Sequence, residues 1–299
     1  MLPTLRQLQY LKLLAEHGSF SRAADAAHVT QPTLSAGVQE LEKVLGAPVV
    51  DRGRSGVILT PVGEEAVRRA KDVLARAEDL VQAARSAGQP LSGRFRLGVI
   101  PTVAPFLLPR ALPALRQRFP ALKLYLREDQ TSRLIAALKA GSLDAALIAL
   151  PFETAGLDTV HVGDDELMAA VPANHPLLAN ATVDPAALEQ ESLILLEDGH
   201  CLREHVLAAC DMEPPRADAG EDGSFAATSL HTLVQMVGSG LGVSLLPAMA
   251  VEAGLTDGAA VGVRPLTAKA PSREIVVAWR AGSSRETEAR LLAGALEAI

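Results

Sequence analysis

The sequence predicts two structural parts joined by a long helix: a small helical domain that ends in a β-hairpin, and a larger α/β domain. Residues 1–60 carry three helical patterns and a hairpin pattern, and residues 61–87 carry one uninterrupted heptad pattern. From residue 90 onwards, strand and helix patterns alternate. The chain has 299 residues, too many for one ordinary hydrophobic core, so more than one domain is expected.

Three helices are predicted within the first fifty residues. Leucines at helical spacing mark the first helix over residues 4–17, and Gly18 is a typical helix stop. The second helix runs through the alanines of residues 23–27, whose small side chains allow close helix contact. Thr30 can cap the third helix, and Gly46 ends it.

A β-hairpin is predicted directly after these helices. Its sequence, over residues 49–60, is VVDRGRSGVILT, which indicates two short strands around a glycine-containing turn. The order of helix, helix, helix and hairpin is that of a winged helix-turn-helix domain, in which the hairpin is the wing.

A helix-turn-helix binds DNA by laying its second helix in the major groove, so that side chains near the start of that helix meet base edges. Glutamine can bond adenine through two hydrogen bonds, and threonine and serine offer hydroxyls to bases or phosphates. Arginines on the second helix and the wing would contact phosphates, which positions the protein without specifying a sequence. The alternative is that these polar side chains only face solvent. The candidate DNA-contacting residues are Arg22, Gln31, Pro32, Thr33, Ser35, Arg52 and Arg54.

A long helix is predicted from Pro61 to Ala87, with apolar residues spaced alternately by three and four positions. A narrow apolar seam with no neighbouring helix to cover it indicates dimerisation, although packing onto its own domain is the alternative. Residues 88–90 then form a linker. The seam consists of Val67, Ala70, Leu74, Ala77, Val81 and Ala84.

The α/β part is predicted to contain two units. In the first unit, strands at 95–100, 122–127 and 144–150 alternate with helices at 105–119 and 132–140. The second unit begins near Glu166, with strands at 167–171, 193–196 and 242–245 and a helix at 229–237. A strand at 274–279 and a helix from Arg285 return to the first unit. The expected domains are residues 1–60, a linker helix and hinge at 61–89, and a regulatory domain at 90–299 with lobe I at about 90–164 and 267–299 and lobe II at about 165–266.

Charge alone does not identify a partner. The net charge is −7, but residues 1–89 hold 11 Lys and Arg against 10 Asp and Glu, whereas residues 90–299 hold 17 against 25. Residues 1–25 lack the features of a signal peptide, and no apolar run reaches the roughly 18 residues of a membrane span. We therefore expect a cytoplasmic protein that does not bind a membrane.

Two cysteines, Cys201 and Cys210, stand nine positions apart. A reducing cytosol keeps such cysteines as thiols, and two small core side chains are one reading of them. Two thiols so close in one segment also permit a redox function, and these residues alone leave both readings open.

The amino-terminal part resembles the LysR-type transcription regulators through a long run, SFSRAADAAHVTQPTLSAGVQELEKVLGAPVVDRGRSGVILTPVGEE. The remainder resembles the effector domain of that family, which has two α/β lobes like a type 2 periplasmic binding protein. The resemblance implies double-stranded operator DNA and RNA polymerase as partners, a homo-oligomer built as a dimer of dimers, and no enzymatic activity or cofactor.

Three further stretches resemble the hydrogen-peroxide-sensing members of that family. They are LLEDGHCLREHVLAAC at 195–210, GVIPTVAPFLLP at 98–109 and EDQTSRLIAAL at 128–138. The resemblance implies that Cys201 reacts with peroxide and that Cys210 forms a reversible disulfide with it. It also implies supporting roles at the peroxide site for Thr102, Thr131, His200, Arg203 and Arg273.

The residues around Cys201 are suited to this chemistry. Peroxide is attacked by a thiolate, which nearby positive charge and the start of a helix both favour. Cys201 follows a turn and begins a helical pattern, with His200 and Arg203 close in sequence. Simpler readings are that Thr131 only caps a helix and that Arg273 is a surface charge at the start of a strand.

Three other functions stay open at this point. Most LysR-type regulators bind a metabolite between their lobes, and this is the main alternative. A metal sensor could use His200, Cys201, His205 and Cys210, although zinc sites usually have tighter paired spacings. A thiol peroxidase or disulfide reductase would leave the DNA-binding domain unexplained, and the chain has no CxxC motif.

Overall fold

The computed structural model describes residues 2–53, 56–86, 91–211, 226–267 and 272–298. For residues 52, 53, 56, 79 and 82–86 it describes the backbone alone. The chain forms two compact units, one from its amino-terminal part and one from most of the remainder.

The first unit has the predicted order of helix, helix, helix, hairpin and long helix. Strands β1 and β2 pair antiparallel, as expected for the wing. The elements are α1 (Leu5–His17), α2 (Phe20–Ala26), α3 (Gln31–Leu45), β1 (Val50–Gly53), β2 (Gly56–Leu59) and α4 (Pro61–Ser86).

The ends of α1 and α3 follow from local side-chain chemistry. The Thr30 hydroxyl accepts a hydrogen bond from the Thr33 amide at 3.4 Å, which caps α3 as predicted. Gly18 and Gly46 end α1 and α3 with φ of 61° and 72°, a left-handed conformation that glycine adopts without strain.

The core of the first unit fixes which face of α3 points outward. Leu34, Val38 and Leu41 of α3 are fully buried against Leu11 and Leu14 of α1 and other residues of this core. The opposite face of α3, including its first turn, is therefore on the surface.

The second unit begins with the alternation that the sequence predicts, followed by a strand that was not predicted. That strand, β6, has a largely polar sequence with only two buried residues, so its hydrophobic pattern is weak. The elements are β3 (Gly93–Val99), α5 (Ala104–Arg118), β4 (Leu122–Glu128), α6 (Thr131–Lys139), β5 (Ala145–Leu150) and β6 (Leu157–Asp165).

The next stretch builds a second lobe. Strand β7 lies between β10 and β11 in an antiparallel sheet, and β8 pairs in parallel with β9. The strand at 193–196 is shorter than predicted, and β9, β11 and α9 were not predicted. The elements are β7 (Leu167–Pro172), short 3-10 helices at Pro176–Ala179 and Pro185–Leu188, β8 (Leu195–Leu196), α7 (Cys201–Ala209), β9 (Ala226–Ala227), α8 (Leu230–Gly238), β10 (Ser244–Pro247), α9 (Ala248–Glu252) and β11 (Val261–Pro265).

The chain then returns to the first lobe through β12 (Arg273–Arg280) and α10 (Glu286–Glu297), as the sequence predicts. The first-lobe sheet has the order β4-β3-β5-β12-β6. Because β6 leads into the second lobe and β12 leads back, these paired antiparallel strands are the two crossings between the lobes. Arg273 and Asp165 lie opposite each other in that pairing, at the lobe boundary.

Candidate functional site

Cys201 is the first residue of α7 and is only 3% exposed. The loop before it turns at Gly199, whose φ is +93°, and His200 precedes the helix as its cap residue. Although α7 belongs to the second lobe, Cys201 packs in the hydrophobic core of the first lobe. Leu202 and Val206 of the same helix pack in the core of the second lobe. Cys201 therefore lies where the two lobes contact each other.

A small cavity adjoins Cys201. It is a narrow gap lined by residues 100–102 and 130–131 from the first lobe and by residues 199–201. Its walls lie too close together to hold a water molecule without moving. Of the predicted site residues, Thr102, Thr131, His200 and Cys201 line this cavity.

Arg273 lies beside the cavity in a buried network. Its Nη1 donates to the Thr102 hydroxyl at 2.7 Å and its Nη2 to the Thr102 carbonyl at 3.0 Å. Its Nε donates to Asp165 Oδ2 at 2.8 Å, and Asp165 Oδ1 accepts from the Met249 amide at 3.0 Å. Arg273 is 1% exposed, so it is not a surface charge at the start of a strand.

Thr131 is the first residue of α6 and is 1% exposed. Its hydroxyl is buried and makes no regular hydrogen bond among the described residues. The reading that Thr131 only caps a helix is therefore not supported. A buried hydroxyl without a partner is costly, and this one faces the cavity at Cys201.

The surroundings of Cys201 have opposite effects on the pKa of its thiol. Burial raises the pKa of the Cys201 thiol, while the Thr131 hydroxyl and the charge of Arg273 lower it. The contact with Thr131 is looser than a regular hydrogen bond. Burial dominates, so the thiol is protonated at neutral pH in this conformation even though it stands at a helix start.

His200 and Arg203 have different surroundings. His200 is half-buried beside the cavity, and burial lowers its pKa. Arg203 does not line the cavity: it donates to the Leu196 carbonyl at 3.1 Å and pairs with Asp198 at 2.9 Å. The structure thus places Arg203 against the loop that precedes Cys201.

Three further residues at this site were not assigned to it by the sequence analysis. Asp165 holds Arg273, and Gln130 lines the cavity wall. His205, which follows Cys201 by one helical turn, is 6% exposed, and burial and then the charge of Arg273 lower its pKa to about 4. No local signal marks Asp165, since its partner is 108 positions away.

Cys210 immediately follows α7 and packs in the core of the second lobe. Burial, followed by the charge of Glu189, raises its pKa to about 11. Both cysteines are free thiols. Nine residues of helix separate their Cα atoms by roughly 13.5 Å along the axis and turn them to opposite faces, whereas a disulfide needs about 7 Å or less.

A wider cleft opens beside His200, between the lobes. It has a volume of about 230 Å³, and Phe106 and His231 stack across it with ring centroids 6.2 Å apart. Glu128 and Thr228 also line it. The cleft is smaller than the roughly 300–1,000 Å³ of typical ligand pockets, so it suits only a very small molecule.

The candidate DNA-contacting residues of α3 lie on one exposed surface. Gln31, Pro32 and Thr33 form the first turn of α3 and are exposed, whereas Ser35 is half-buried. The Thr33 hydroxyl lies 2.8 Å from that of Thr30. The first turn therefore faces away from the core that holds Leu34.

Of the three arginines predicted to contact phosphates, the structure describes the side chain of Arg22 alone. Arg22 is exposed on α2. Arg52 belongs to β1, where only the backbone is described, and Arg54 lies outside the described residues.

The candidate seam on α4 divides into two parts. Val67 and Ala70 are buried in the core of the first unit, and Leu74 packs partly against it. Ala77 is half-buried and Val81 is 47% exposed, while Leu80, which was not in the predicted set, is 73% exposed. For Ala84 only the backbone is described. The part of the predicted seam that is open to a partner therefore lies in the second half of α4.

Two features of the described ranges bear on other functions. None of the helices there is both long and apolar enough to cross a bilayer. Within the same ranges, no three His, Cys, Asp or Glu side chains converge as a metal site would require.

Comparison with known families defines the class of protein. Residues 5–64 match the bacterial regulatory helix-turn-helix proteins of the LysR family, and residues 88–298 match the LysR substrate binding domain. The chain belongs to the LysR family of DNA-binding transcription regulators.

Individual relatives add detail. The chain is 42% identical over 253 residues to the HTH-type transcriptional regulator EstR of Acinetobacter baylyi, covering 84% of this chain and 82% of EstR. It is 40% identical over 294 residues to the hydrogen peroxide-inducible genes activator of Escherichia coli, covering 98% and 95%. A full-length OxyR variant from Pseudomonas aeruginosa has a similar structure, with a TM-score of 0.78, 38% identity, and coverage of 99% and 98%.

Proposed function

We propose that this regulator senses hydrogen peroxide through Cys201 and passes the signal to DNA by forming a disulfide with Cys210. The observation that carries the proposal is the buried thiol at the start of α7, enclosed by the Thr102 and Thr131 hydroxyls with Arg273 beside it. The names of the peroxide-inducible and OxyR relatives support the same signal.

The proposed reaction has two steps. The Cys201 thiol first loses its proton; the thiolate attacks one peroxide oxygen, the O–O bond breaks, and Cys201 becomes a sulfenic acid while the departing hydroxide takes up a proton to become water. The Cys210 thiol then loses its proton and attacks the Cys201 sulfur; the S–O bond breaks as the disulfide forms, and the departing hydroxide takes up a proton to become a second water. The groups around the thiol would have separate roles: the Thr102 and Thr131 hydroxyls would hydrogen-bond the peroxide oxygens, and the Arg273 guanidinium would stabilise the thiolate.

The second step requires α7 to open. Because the two cysteines stand at opposite ends of the helix and in different cores, Cys201 must leave the first lobe before Cys210 can reach it. Val206, Leu207 and Ala209 would then lose their burial, whereas Ala208, already exposed, would lose none.

This repacking would alter the contact between lobes and across subunits, and thereby move the DNA-binding units. The protein would act in the cytoplasm on double-stranded DNA as a homo-oligomer, a dimer of dimers, with RNA polymerase as a partner. No enzymatic turnover is part of this function, because each disulfide ends one signalling event until it is reduced.

Mass spectrometry combined with DNA footprinting tests the proposal. Reduced and peroxide-treated protein are compared on the same genomic fragments, and the peptides that contain Cys201 and Cys210 are analysed for a linkage. Cys201→Ser is expected to be blind to peroxide, and Cys210→Ser to stop at a sulfenic acid or a mixed disulfide. A footprint that changes with peroxide while no Cys201 to Cys210 linkage forms would overturn the mechanism.

A second candidate is a regulator that responds to a small molecule bound between the lobes. The cleft beside Phe106 and His231 favours it, because it lies between the lobes and has room for a very small ligand. A peroxide response by purified, ligand-free protein would separate the two functions.

A further inference from the structure

The cavity at Cys201 has walls that can move at small cost. Much of its lining is backbone, or side chains that are fully buried, such as Thr102 in its bond with Arg273. Gln130 and His200 differ, since both are only half-buried, and Gln130 has the longer and more flexible side chain. Because the cavity is too narrow for a water molecule as it stands, any oxidant must displace a wall to reach the thiol.

The backbone of Gln130 is fixed while its side chain reaches to the other lobe. Its amide donates to Asp129 Oδ1 at 2.9 Å, and its carbonyl accepts from Leu134 at the start of α6. Its side-chain Nε2 donates to the Asp198 carbonyl at 3.2 Å, in the loop that precedes Cys201. This hydrogen bond joins Gln130 of the first lobe to the loop of the second lobe that precedes Cys201.

The loop is shaped to receive that side chain. Gly199 has a φ of +93°, and a Cβ atom placed there would meet the Gln130 amide group at 2.7 to 2.9 Å. The Gln130 side chain therefore lies directly against the Gly199 backbone. On its other side the loop is held by Arg203, which pairs with the Asp198 carboxylate at 2.9 Å.

We propose that the Gln130 side chain is a gate that sets the size of oxidant that reaches Cys201. Held across the loop by its bond to Asp198, it admits hydrogen peroxide and excludes hydroperoxides that carry a branched alkyl group. The inference rests on the proposed function of Cys201 and adds a specificity-determining residue to it.

The physical basis of the gate is the volume that must open before each oxidant can reach Cys201. Hydrogen peroxide is little larger than a water molecule, which occupies about 30 Å³, so a small rotation of the Gln130 amide suffices. A tert-butyl group must displace the whole side chain and separate the loop from the wall. Removing the side chain beyond Cβ should therefore matter little for hydrogen peroxide and much for the bulky oxidant.

The test compares wild type, Gln130→Ala and Gln117→Ala in the reduced full-length protein. Gln117 is an exposed glutamine on α5 that does not line the cavity, so it controls for loss of a surface amide. Rate constants for Cys201 oxidation are measured with hydrogen peroxide and with tert-butyl hydroperoxide. For Gln130→Ala the rate constant with tert-butyl hydroperoxide, divided by that with hydrogen peroxide, is expected to rise at least fivefold. For Gln117→Ala this ratio should stay at the wild-type value. A smaller rise in Gln130→Ala overturns the gate.

A second readout does not depend on peroxide sensing. Cys201 is labelled with iodoacetamide and with the bulkier N-phenylmaleimide, and the extent of labelling is measured on its peptide by mass spectrometry. Gln130→Ala is expected to raise the bulky-to-small labelling ratio at least fivefold, and a smaller rise overturns the gate. If wild-type Cys201 resists both peroxides, the proposed sensing function fails, while this ratio still decides the role of Gln130.

Discussion

The guanidinium of Arg273 donates to both the hydroxyl and the carbonyl of Thr102, at 2.7 Å and 3.0 Å, although the two residues stand 171 positions apart. This pair ties the start of β12 to the loop after β3, and Asp165 at the end of β6 holds the same guanidinium from the other side. Both strands that cross between the lobes thus meet at one buried cation beside Cys201. The packing of the lobes and the chemistry of the thiol are therefore coupled.

The two threonines of the cavity should respond differently to the loss of their hydroxyls. Thr102→Val removes an acceptor from the buried Arg273 and is expected to lower the free energy of unfolding by about 1–3 kcal/mol. Thr131→Val is the matched control, because its hydroxyl makes no regular hydrogen bond, and it should not destabilise the protein in this way. Both variants should oxidise more slowly at Cys201. Urea unfolding and peroxide kinetics measure the two effects, and equal loss of stability in both variants would contradict the assignment.

The buried His205 predicts a loss of stability in mild acid. Burial, followed by the charge of Arg273, lowers its pKa from 6.5 to about 4, so the unfolded chain binds a proton more readily than the folded one between these values. The free energy of unfolding should therefore fall as the pH drops from 6.5 towards 4. Between pH 6.5 and 5, wild type should lose roughly 1.5 kcal/mol more than His205→Phe.

Urea unfolding at several pH values measures this difference. His161→Gln is the control, since His161 is exposed on β6, and it should keep the acid sensitivity of wild type. If His205→Phe loses as much stability in acid as wild type does, His205 is not the group responsible.

Short-range features were predictable from the sequence, whereas the contacts that assemble the site were not. Caps and periodicity identify α1 and α3, because Thr30, Gly18 and Gly46 act on their immediate neighbours. The polar sequence of β6 has no clear period, so its place at the sheet edge comes only from pairing with β12. Thr102 and Thr131 were identified through family resemblance rather than through any local pattern.

Periodicity also indicates an apolar face without saying what covers it. The seam of α4 was predicted to meet a second subunit, yet Val67 and Ala70 are covered by the first unit itself. Polar contacts between distant residues are equally hard to predict. Gln130 and Asp198 form a hydrogen bond although they stand 68 positions apart, and nothing in the sequence around either residue indicates it.

The exposed first turn of α3 predicts which substitutions change the preference of the protein for particular DNA sequences. Gln31 is exposed in the first turn of α3, so Gln31→Ala should reduce the preference for a selected DNA site over random DNA by about 1–3 kcal/mol. Arg22→Ala should instead weaken binding to both DNAs alike and flatten the salt dependence, and Arg52→Ala should behave in the same way. Binding isotherms at matched salt measure these effects. An unchanged preference in Gln31→Ala would show that this turn does not read bases.

The exposed half of α4 predicts where a partner subunit binds. Leu80 is 73% exposed, so Leu80→Glu should leave the first unit folded but weaken dimerisation by burying like charges against each other. Leu74 packs partly against its own core, so Leu74→Glu should lower both the melting temperature and dimerisation. Sedimentation and thermal unfolding separate the two results. A Leu80→Glu variant that stays fully dimeric would place the subunit contact elsewhere.

Opening of α7 should limit the rate of disulfide formation but not the rate of the first oxidation. Cys201 lies in the core of the first lobe and Cys210 in that of the second, so the helix between them must unfold before the sulfur atoms meet. Ala208 is exposed on this helix, and glycine there costs about 1 kcal/mol of helix stability without removing a buried side chain. The open population would then rise by up to about fivefold. In Ala208→Gly the disulfide should form correspondingly faster, while the sulfenic acid forms at the wild-type rate.

Rapid quenching with a thiol-blocking reagent, followed by mass spectrometry of the Cys201 and Cys210 peptides, gives both rates for this variant. Ala36→Gly is the matched control, because Ala36 is an exposed alanine on α3, in the other unit, where a weakened helix cannot affect the cysteines. Its two rates should equal those of wild type. A disulfide rate that is the same in Ala208→Gly and wild type would mean that the cysteines meet by a movement other than unfolding of α7.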